Sequence, residues 1–239
     1  MPPSAVTAKS MRYAIYYLPG SDTLLWRLGC SLLGYDSERG LACQPPADPL
    51  LADPAVAALM EEPRRYGFHA TLTAPFELQA GVRENELLAT ARAFAAARAP
   101  FCIPRLEVAA LGRFLALVPA DPCPRVDGLA ADCVRAFEPL RAPLSGPELA
   151  RRLAAATSER QRRYVTRWGY PHVLEEFRFH MTLTGPLDDE LRRRLGDGLR
   201  RLLEPASGPL AIDQIAILVQ PTRQDRFRLI ARMPLGARR

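Results

Sequence analysis

The chain has 239 residues and a mass of 26.5 kDa, long for one compact domain and short for two ordinary ones. Hydrophobic residues at 48% and charged residues at 24% exclude an intrinsically disordered chain, and no apolar run approaches the roughly 20 residues of a membrane span. The net charge of +6 suggests a nucleic-acid binder at first, but of the 32 basic residues all except Lys9 are arginine, a skew that a GC-rich genome produces whatever the partner. The first ten residues, MPPSAVTAKS, lack the apolar core of a signal peptide and the character of a transit peptide. They read as a disordered leader (1–10) before one domain over 11–239. Five cysteines, an odd number without a C-x-x-C pair, read as reduced, mostly buried thiols, which places the expected location in the cytoplasm.

Residues 12–18, RYAIYYL, are β-branched and aromatic and read as a strand ended by Pro19-Gly20. Asp22 can cap a helix whose apolar face is Leu24, Leu25, Leu28 and Leu32, closed by Gly34. The stretch Pro45–Pro54 reads as loop, Ala55–Glu62 as a short helix and 66–78 as a second strand. Residues 83–98 are helical, 101–109 and 113–119 are strands, and 125–141 and 147–167 read as two further helices. Arginines crowd the second of these helices and read as a solvated face. A strand at 176–184, a helix at 188–203 and strands at 210–219 and 226–232 complete the chain. The order is neither strict βαβ alternation nor all-β, which indicates α+β.

An internal repeat carries the functional information. Phe68-His69-Ala70-Thr71-Leu72-Thr73-Ala74-Pro75-Phe76 matches Phe179-His180-Met181-Thr182-Leu183-Thr184-Gly185-Pro186-Leu187 at six of nine positions, 111 residues apart. Two of only three histidines lie in it. In a strand, His69, Thr71 and Thr73 project from one face and Phe68, Ala70 and Leu72 from the other; His180, Thr182 and Thr184 share a face in the second copy. Two matching copies indicate two related lobes facing each other, with two imidazoles and four hydroxyls around one cleft.

That set suits phosphodiester chemistry. One neutral imidazole can take a proton from the attacking hydroxyl or water, and the other, protonated, can give one to the leaving oxygen. Threonine hydroxyls can hold the non-bridging phosphate oxygens. The scheme uses no metal and no cofactor. Arg178 has the parity of His180 and can add a charge-assisted contact. Tyr66 and Tyr170 can stack on a ligand, Gln220 is a weak cleft candidate, and His172 reads as a surface or structural residue. No P-loop, G-x-G-x-x-G, G-x-S-x-G or metal-binding His pair is present.

The paired His-x-Thr motifs in two similar halves resemble the 2H phosphoesterase superfamily, which includes RNA 2′,3′-cyclic phosphodiesterases and so-called 2′–5′ RNA ligases. The segments RYAIYYL (12–18), LLGYDSERG (32–40), RYGFHATLTAPF (65–76), FLALVP (114–119), FRFHMTLTGP (177–186) and VQP (219–221) resemble one branch, DUF1045, associated with phosphonate metabolism. The resemblance implies His69 and His180 as the acid–base pair, and Thr71 and Thr182 as phosphate-oxygen ligands. Thr73, Thr184, Arg178 and Tyr66 are further substrate-binding candidates. The branch commonly has a basic residue where Thr73 stands, so the chain departs from its pattern there. The implied fold is two pseudo-symmetric α+β lobes, each an antiparallel sheet with helices on its outer face, around a central cleft. The expected activity is metal-independent hydrolysis of a cyclic phosphate or small phosphodiester. The alternatives are an RNA-end enzyme and a catalytically silent phosphate-binding module. The expected partner is a small phosphorylated or cyclic-phosphate substrate, with RNA ends as the second choice and no membrane or obligate protein partner.

Overall fold

A computed structural model of the chain describes residues 11–48, 51 and 53–236; the leader expected over 1–10 and positions 49, 50 and 52 of the expected Pro-rich loop lie outside them. In chain order the strands are β1 (Arg12–Tyr17), β2 (Tyr35–Asp36), β3 (Leu41–Ala42), β4 (Ala70–Phe76), β5 (Phe101–Ile103), β6 (Leu106–Leu111), β7 (Phe114–Pro119), β8 (Met181–Thr182), β9 (Leu210–Ile212), β10 (Gln214–Gln220) and β11 (Arg228–Pro234). The α-helices are α1 (Leu24–Leu33), α2 (Pro54–Leu59), α3 (Glu61–Tyr66), α4 (Glu84–Ala96), α5 (Pro124–Phe137), α6 (Gly146–Ala155), α7 (Glu159–Trp168) and α8 (Asp189–Leu203).

Seven strands form one sheet in the order β11-β10-β1-β4-β8-β7-β6, with every neighbouring pair antiparallel. The mixed α and β architecture agrees with the sequence reading, but the two halves share a single sheet where two were expected. They meet where β4 pairs with β8 through Ala70 and Met181. β1 lies between β10 and β4 and is buried along its whole length, which fits its largely apolar run after Arg12. One core cluster joins this sheet to Leu87, Ala91 and Phe94 of α4, to Val126, Ala130 and Phe137 of α5, and to Leu195 and Leu199 of α8.

Alternation holds over residues 68–72 and 179–183 of the two motifs. Phe68, Ala70, Leu72, Phe179, Met181 and Leu183 are all buried, while His69, Thr71 and Thr182 are partly exposed. Phe68 anchors the first motif; burying such a side chain is worth ~2–3 kcal/mol. Its ring lies so close to Gly29 of α1 that a Cβ there would sit 2.2 Å from it.

Several expected boundaries move for identifiable reasons. The strand expected over 66–78 begins only at Ala70, because α3 runs through Arg65 and Tyr66 and stops at Gly67, whose φ of 75° ends it. The helix expected over 147–167 is two, since Ser158 caps α7 by accepting a hydrogen bond from the Gln161 amide. Pro104 divides the strand expected over 101–109, and its first part, β5, leaves the main sheet to pair with β9. The strand expected over 176–184 shrinks to two residues behind a 3₁₀ turn at Leu174–Glu176. The five cysteines are unpaired, with two buried, two half-buried and Cys102 exposed. Among the described residues no helix is long and apolar enough to cross a membrane.

Candidate active site

The junction between β4 and β8 brings the two motifs together. Antiparallel pairing of Ala70 with Met181 sets His69 opposite Thr182 and Thr71 opposite His180 when the register is extended by one residue each way. All four side chains then leave the same face. The two histidines are diagonal neighbours, a relation that separates side-chain origins by roughly 7–8 Å, room for a phosphate between two imidazoles.

Each imidazole is tethered in the same way. His69 Nδ1 is 2.9 Å from the Gly67 carbonyl and His180 Nδ1 is 2.8 Å from the Arg178 carbonyl, in each case two residues back along the chain. A carbonyl only accepts, so Nδ1 carries the proton in both neutral rings and Nε2 carries the lone pair. Nε2 of His69 is 3.1 Å from Thr71 Oγ1, which as a hydroxyl donates to it. Nε2 of His180 and the hydroxyl of Thr182 have no hydrogen-bond partner among the described residues. The backbone of Gly67, with φ 75° and ψ 178°, is a conformation that only glycine adopts readily, so the first tether depends on that residue.

The surroundings differ. His69 stacks on the buried ring of Tyr16, with centroids 3.8 Å apart and planes at 22°. Tyr66 is 6.3 Å away on another side. Burial lowers the His69 pKa to about 4, against the partial compensation of the Gly67 hydrogen bond, and the nearby His180 lowers it further. Burial also lowers the His180 pKa, opposed by the Arg178 carbonyl, with His172 acting in the same direction as burial. His180 faces Phe114 at 5.8 Å. His69, Tyr66, Phe114 and Thr182 line a cavity of about 320 Å³.

The remaining sequence candidates take varied places. Thr184 lies past the end of the shortened β8 and is buried. Its Oγ1 accepts from the Leu115 amide at 3.0 Å and donates to the Gly185 carbonyl at 2.9 Å, so both its capacities are used inside the fold. The Arg178 guanidinium donates to the Phe177 carbonyl and lies in the field of Asp127; its part in the site is its carbonyl, which holds His180. Thr73 pairs with Ile15 of β1 across a register shift from Thr71, which pairs with Tyr16, and lines a second cavity, where Arg12, Arg141, Arg152, Tyr170 and Arg223 also gather. Sequence reasoning passed over these four arginines, which lie on β1, on α6 and in two loops and meet only in the folded chain. Gln220 is buried and holds Arg12. His172 is exposed, edge-on to Tyr170 at 5.5 Å. Among the described residues no three His, Cys, Asp or Glu side chains gather as a metal-holding group.

The family model described as "Protein of unknown function (DUF1045)" matches residues 71–228, well over half of the chain. The chain belongs to the DUF1045 family. Two curated proteins named ribose 1,5-bisphosphate phosphokinase PhnN are similar to this DUF1045 chain. The one from Janthinobacterium sp. (strain Marseille) is 40% identical over 227 residues, covering 91% of this chain and 49% of that protein. The one from Laribacter hongkongensis (strain HLHK9) is 35% identical over 221 residues, covering 92% and 50%. The DUF1045 chain therefore spans about half the length of these relatives. Among solved structures, Escherichia coli LigT complexed with 3′-AMP has a TM-score of 0.42 at 11% identity, covering 96% of this chain and all of that one. A crystal structure titled phosphoesterase has a TM-score of 0.42 at 12% identity, covering 95% and 99%.

Proposed function

We propose that the chain is a phosphoesterase that hydrolyses a cyclic phosphate or small phosphodiester by acid–base catalysis between His69 and His180. The observation that carries this reading is the pair of diagonal imidazoles on adjacent strands, each held by an Nδ1–H bond to a backbone carbonyl that leaves the lone pair on Nε2. With a pKa near 4, His69 is neutral at physiological pH and serves as the base: its Nε2 takes a proton from water as the water oxygen attacks phosphorus. His180 serves as the acid. Its tether lies nearer the surface, and an anionic phosphodiester beside it favours the imidazolium. As the bond from phosphorus to the leaving oxygen breaks, that oxygen receives the Nε2 proton of His180. One water is added overall, and proton exchange with solvent restores both rings. Thr71 releases His69 Nε2 and turns its hydroxyl to a non-bridging oxygen, with Thr182 donating from the opposite strand.

The names of the relatives concern a phosphorylated ribose, which supports a ribose-linked cyclic phosphate and the link to phosphonate metabolism as the substrate context. A P-loop kinase needs G-x-x-x-x-G-K-[S/T], and this chain has none, its one lysine being Lys9. The reaction assigned here therefore differs from the one in the relatives' name.

The test is a panel of ribose and RNA-end cyclic phosphates, incubated with the protein and a chelator and followed by ³¹P NMR. Ring opening of a ribose cyclic phosphate, unaffected by the chelator, is expected. Preference for RNA ends would move the assignment to the RNA-end class. No turnover of any member, with cyclic-phosphate binding weakened by Thr71→Val or Thr182→Val, would replace catalysis with ligand binding.

A further inference from the structure

The second cavity, of about 210 Å³, is lined by Thr73 at the middle of β4, by Arg12 at the start of β1, and by Arg141, Arg152, Tyr170 and Arg223. Three of its four guanidiniums have carboxylate partners. Arg141 makes a two-pronged pair with Glu138, both bonds at 2.9 Å. Arg152 pairs with Glu148 at 2.5 Å, and Arg223 with Glu148 at 2.8 Å and Glu77 at 3.3 Å.

Arg12 is the exception. It is 9% exposed, and among the described residues no carboxylate pairs with it. Its Nε donates to Gln220 Oε1 at 2.8 Å and its Nη2 donates to the same oxygen. Its remaining neighbours are the face of Phe227, 5.6 Å from the ring centre, the hydroxyl of Tyr66 and the like charge of Arg223. Gln220 is itself buried and fixed, donating to the Asp225 carbonyl at 2.7 Å. A guanidinium held this rigidly, out of water and without a counter-charge, is costly unless an anion completes it. A second orphan lies in the same cavity: Thr73 Oγ1 is buried with no hydrogen-bond partner. A hydroxyl donor and a guanidinium fork are the groups that hold an oxyanion.

We infer that this cavity is a binding subsite for a second oxyanion of the phosphate type, adjoining the histidine centre. Thr73 follows Thr71 by two residues along β4, across a register shift against β1, which separates the two positions by at most about 7 Å. Tyr66 bridges them, its ring near His69 and its hydroxyl against Arg12. The ligand class is thus a phosphate ester bearing two phosphate groups at most about 7 Å apart, one at each centre. The role of the first centre rests on the phosphoesterase reading; the subsite does not. Its phosphate comes either on the substrate or as free inorganic phosphate.

Calorimetric titration of the full chain with inorganic phosphate tests the subsite without turnover. Saturable binding is expected in the wild type and in the His69→Ala/His180→Ala variant, weakened at least about 10-fold by Arg12→Gln. Thr73→Val, which keeps the side-chain shape and removes the unsatisfied hydroxyl, should weaken phosphate binding while raising the melting temperature. No binding by the wild type, or binding that the histidine variant loses and the Arg12 and Thr73 variants keep, overturns the subsite. The source of the phosphate is read from kcat/KM on adenosine 2′,3′-cyclic phosphate with and without a 5′-phosphate. A phosphate carried by the substrate predicts a preference of at least about 10-fold for the 5′-phosphorylated compound, expressed in KM and reduced towards unity in both variants. A free phosphate predicts equal use of the two compounds and a rate that responds to added phosphate. If phosphate binds through Arg12 and Thr73 but neither compound is turned over, the subsite stands and the phosphoesterase reading of the histidine centre fails.

Discussion

Acidification should destabilise this protein through His69 in a defined pH window. The ring is stacked on Tyr16 at 3.8 Å and bonded through Nδ1 to the Gly67 carbonyl at 2.9 Å. Burial and the neighbouring His180 place its pKa at about 4, against about 6.5 in an unfolded chain. Between those values the unfolded state binds the proton and the folded state does not, so stability falls as pH drops from 6.5 towards 4. The difference between 6.5 and 4 corresponds to ~3 kcal/mol, fully present above pH 6.5. Urea unfolding of the wild type and of His69→Gln, from pH 7.5 down to 4.5, isolates this contribution as the pH-dependent difference between the two proteins. Histidine NMR supplies the direct reading, because only three imidazoles are present. A His69 that titrates near 6.5 in the folded protein, or a difference that stays flat across the window, refutes the reasoning.

Three further outcomes follow from the packing around the site. Gly29→Ala drives a Cβ to within 2.2 Å of the Phe68 ring and should cost ~2–3 kcal/mol in thermal or urea unfolding; a loss below ~0.5 kcal/mol would show that the first motif is not anchored there. Gly67→Ala forces an alanine to φ 75° and places its Cβ 2.8 Å from that of Ser37. A stability loss of ~2–3 kcal/mol is expected, together with displacement of the carbonyl that holds His69, seen as a shifted His69 titration. Thr184→Val strands the buried Leu115 amide and should cost ~1–3 kcal/mol, whereas Thr182→Val should change stability by no more than ~0.5 kcal/mol. The reverse order in a melting comparison would contradict the separation of their roles.

Much of the site was legible because the repeat has strand periodicity. Alternation alone gave the buried set Phe68, Ala70 and Leu72 and the presented set His69 and Thr71, and duplication indicated that two such faces meet. The same rule failed at Thr184, where β8 has ended and the chain turns at Gly185. That turn is pinned by a bond from the Gly185 amide to the Leu59 carbonyl at 2.9 Å. The Gly-Pro that follows Thr184 was the available signal. Arg178 failed for a related reason: it precedes the strand, so its parity did not govern its guanidinium. The arginine cavity was invisible for a different reason. Arg12 and Thr73 become neighbours only because β1 lies beside β4, a pairing set by tertiary packing and not by spacing along the chain. Arg152 was concealed in an arginine-rich stretch that read as one solvated helix, where it pairs with Glu148 on α6 as Arg160 on α7 pairs with Glu176.

The central claim is that His69 and His180 act as base and acid on a phosphoester. Its most direct test is the turnover of a ribose cyclic phosphate by the wild type, His69→Ala and His180→Ala, measured side by side. Each substitution should lower kcat by a factor of at least about 100, with the fold retained by circular dichroism. Wild-type turnover that survives either substitution unchanged would contradict the account.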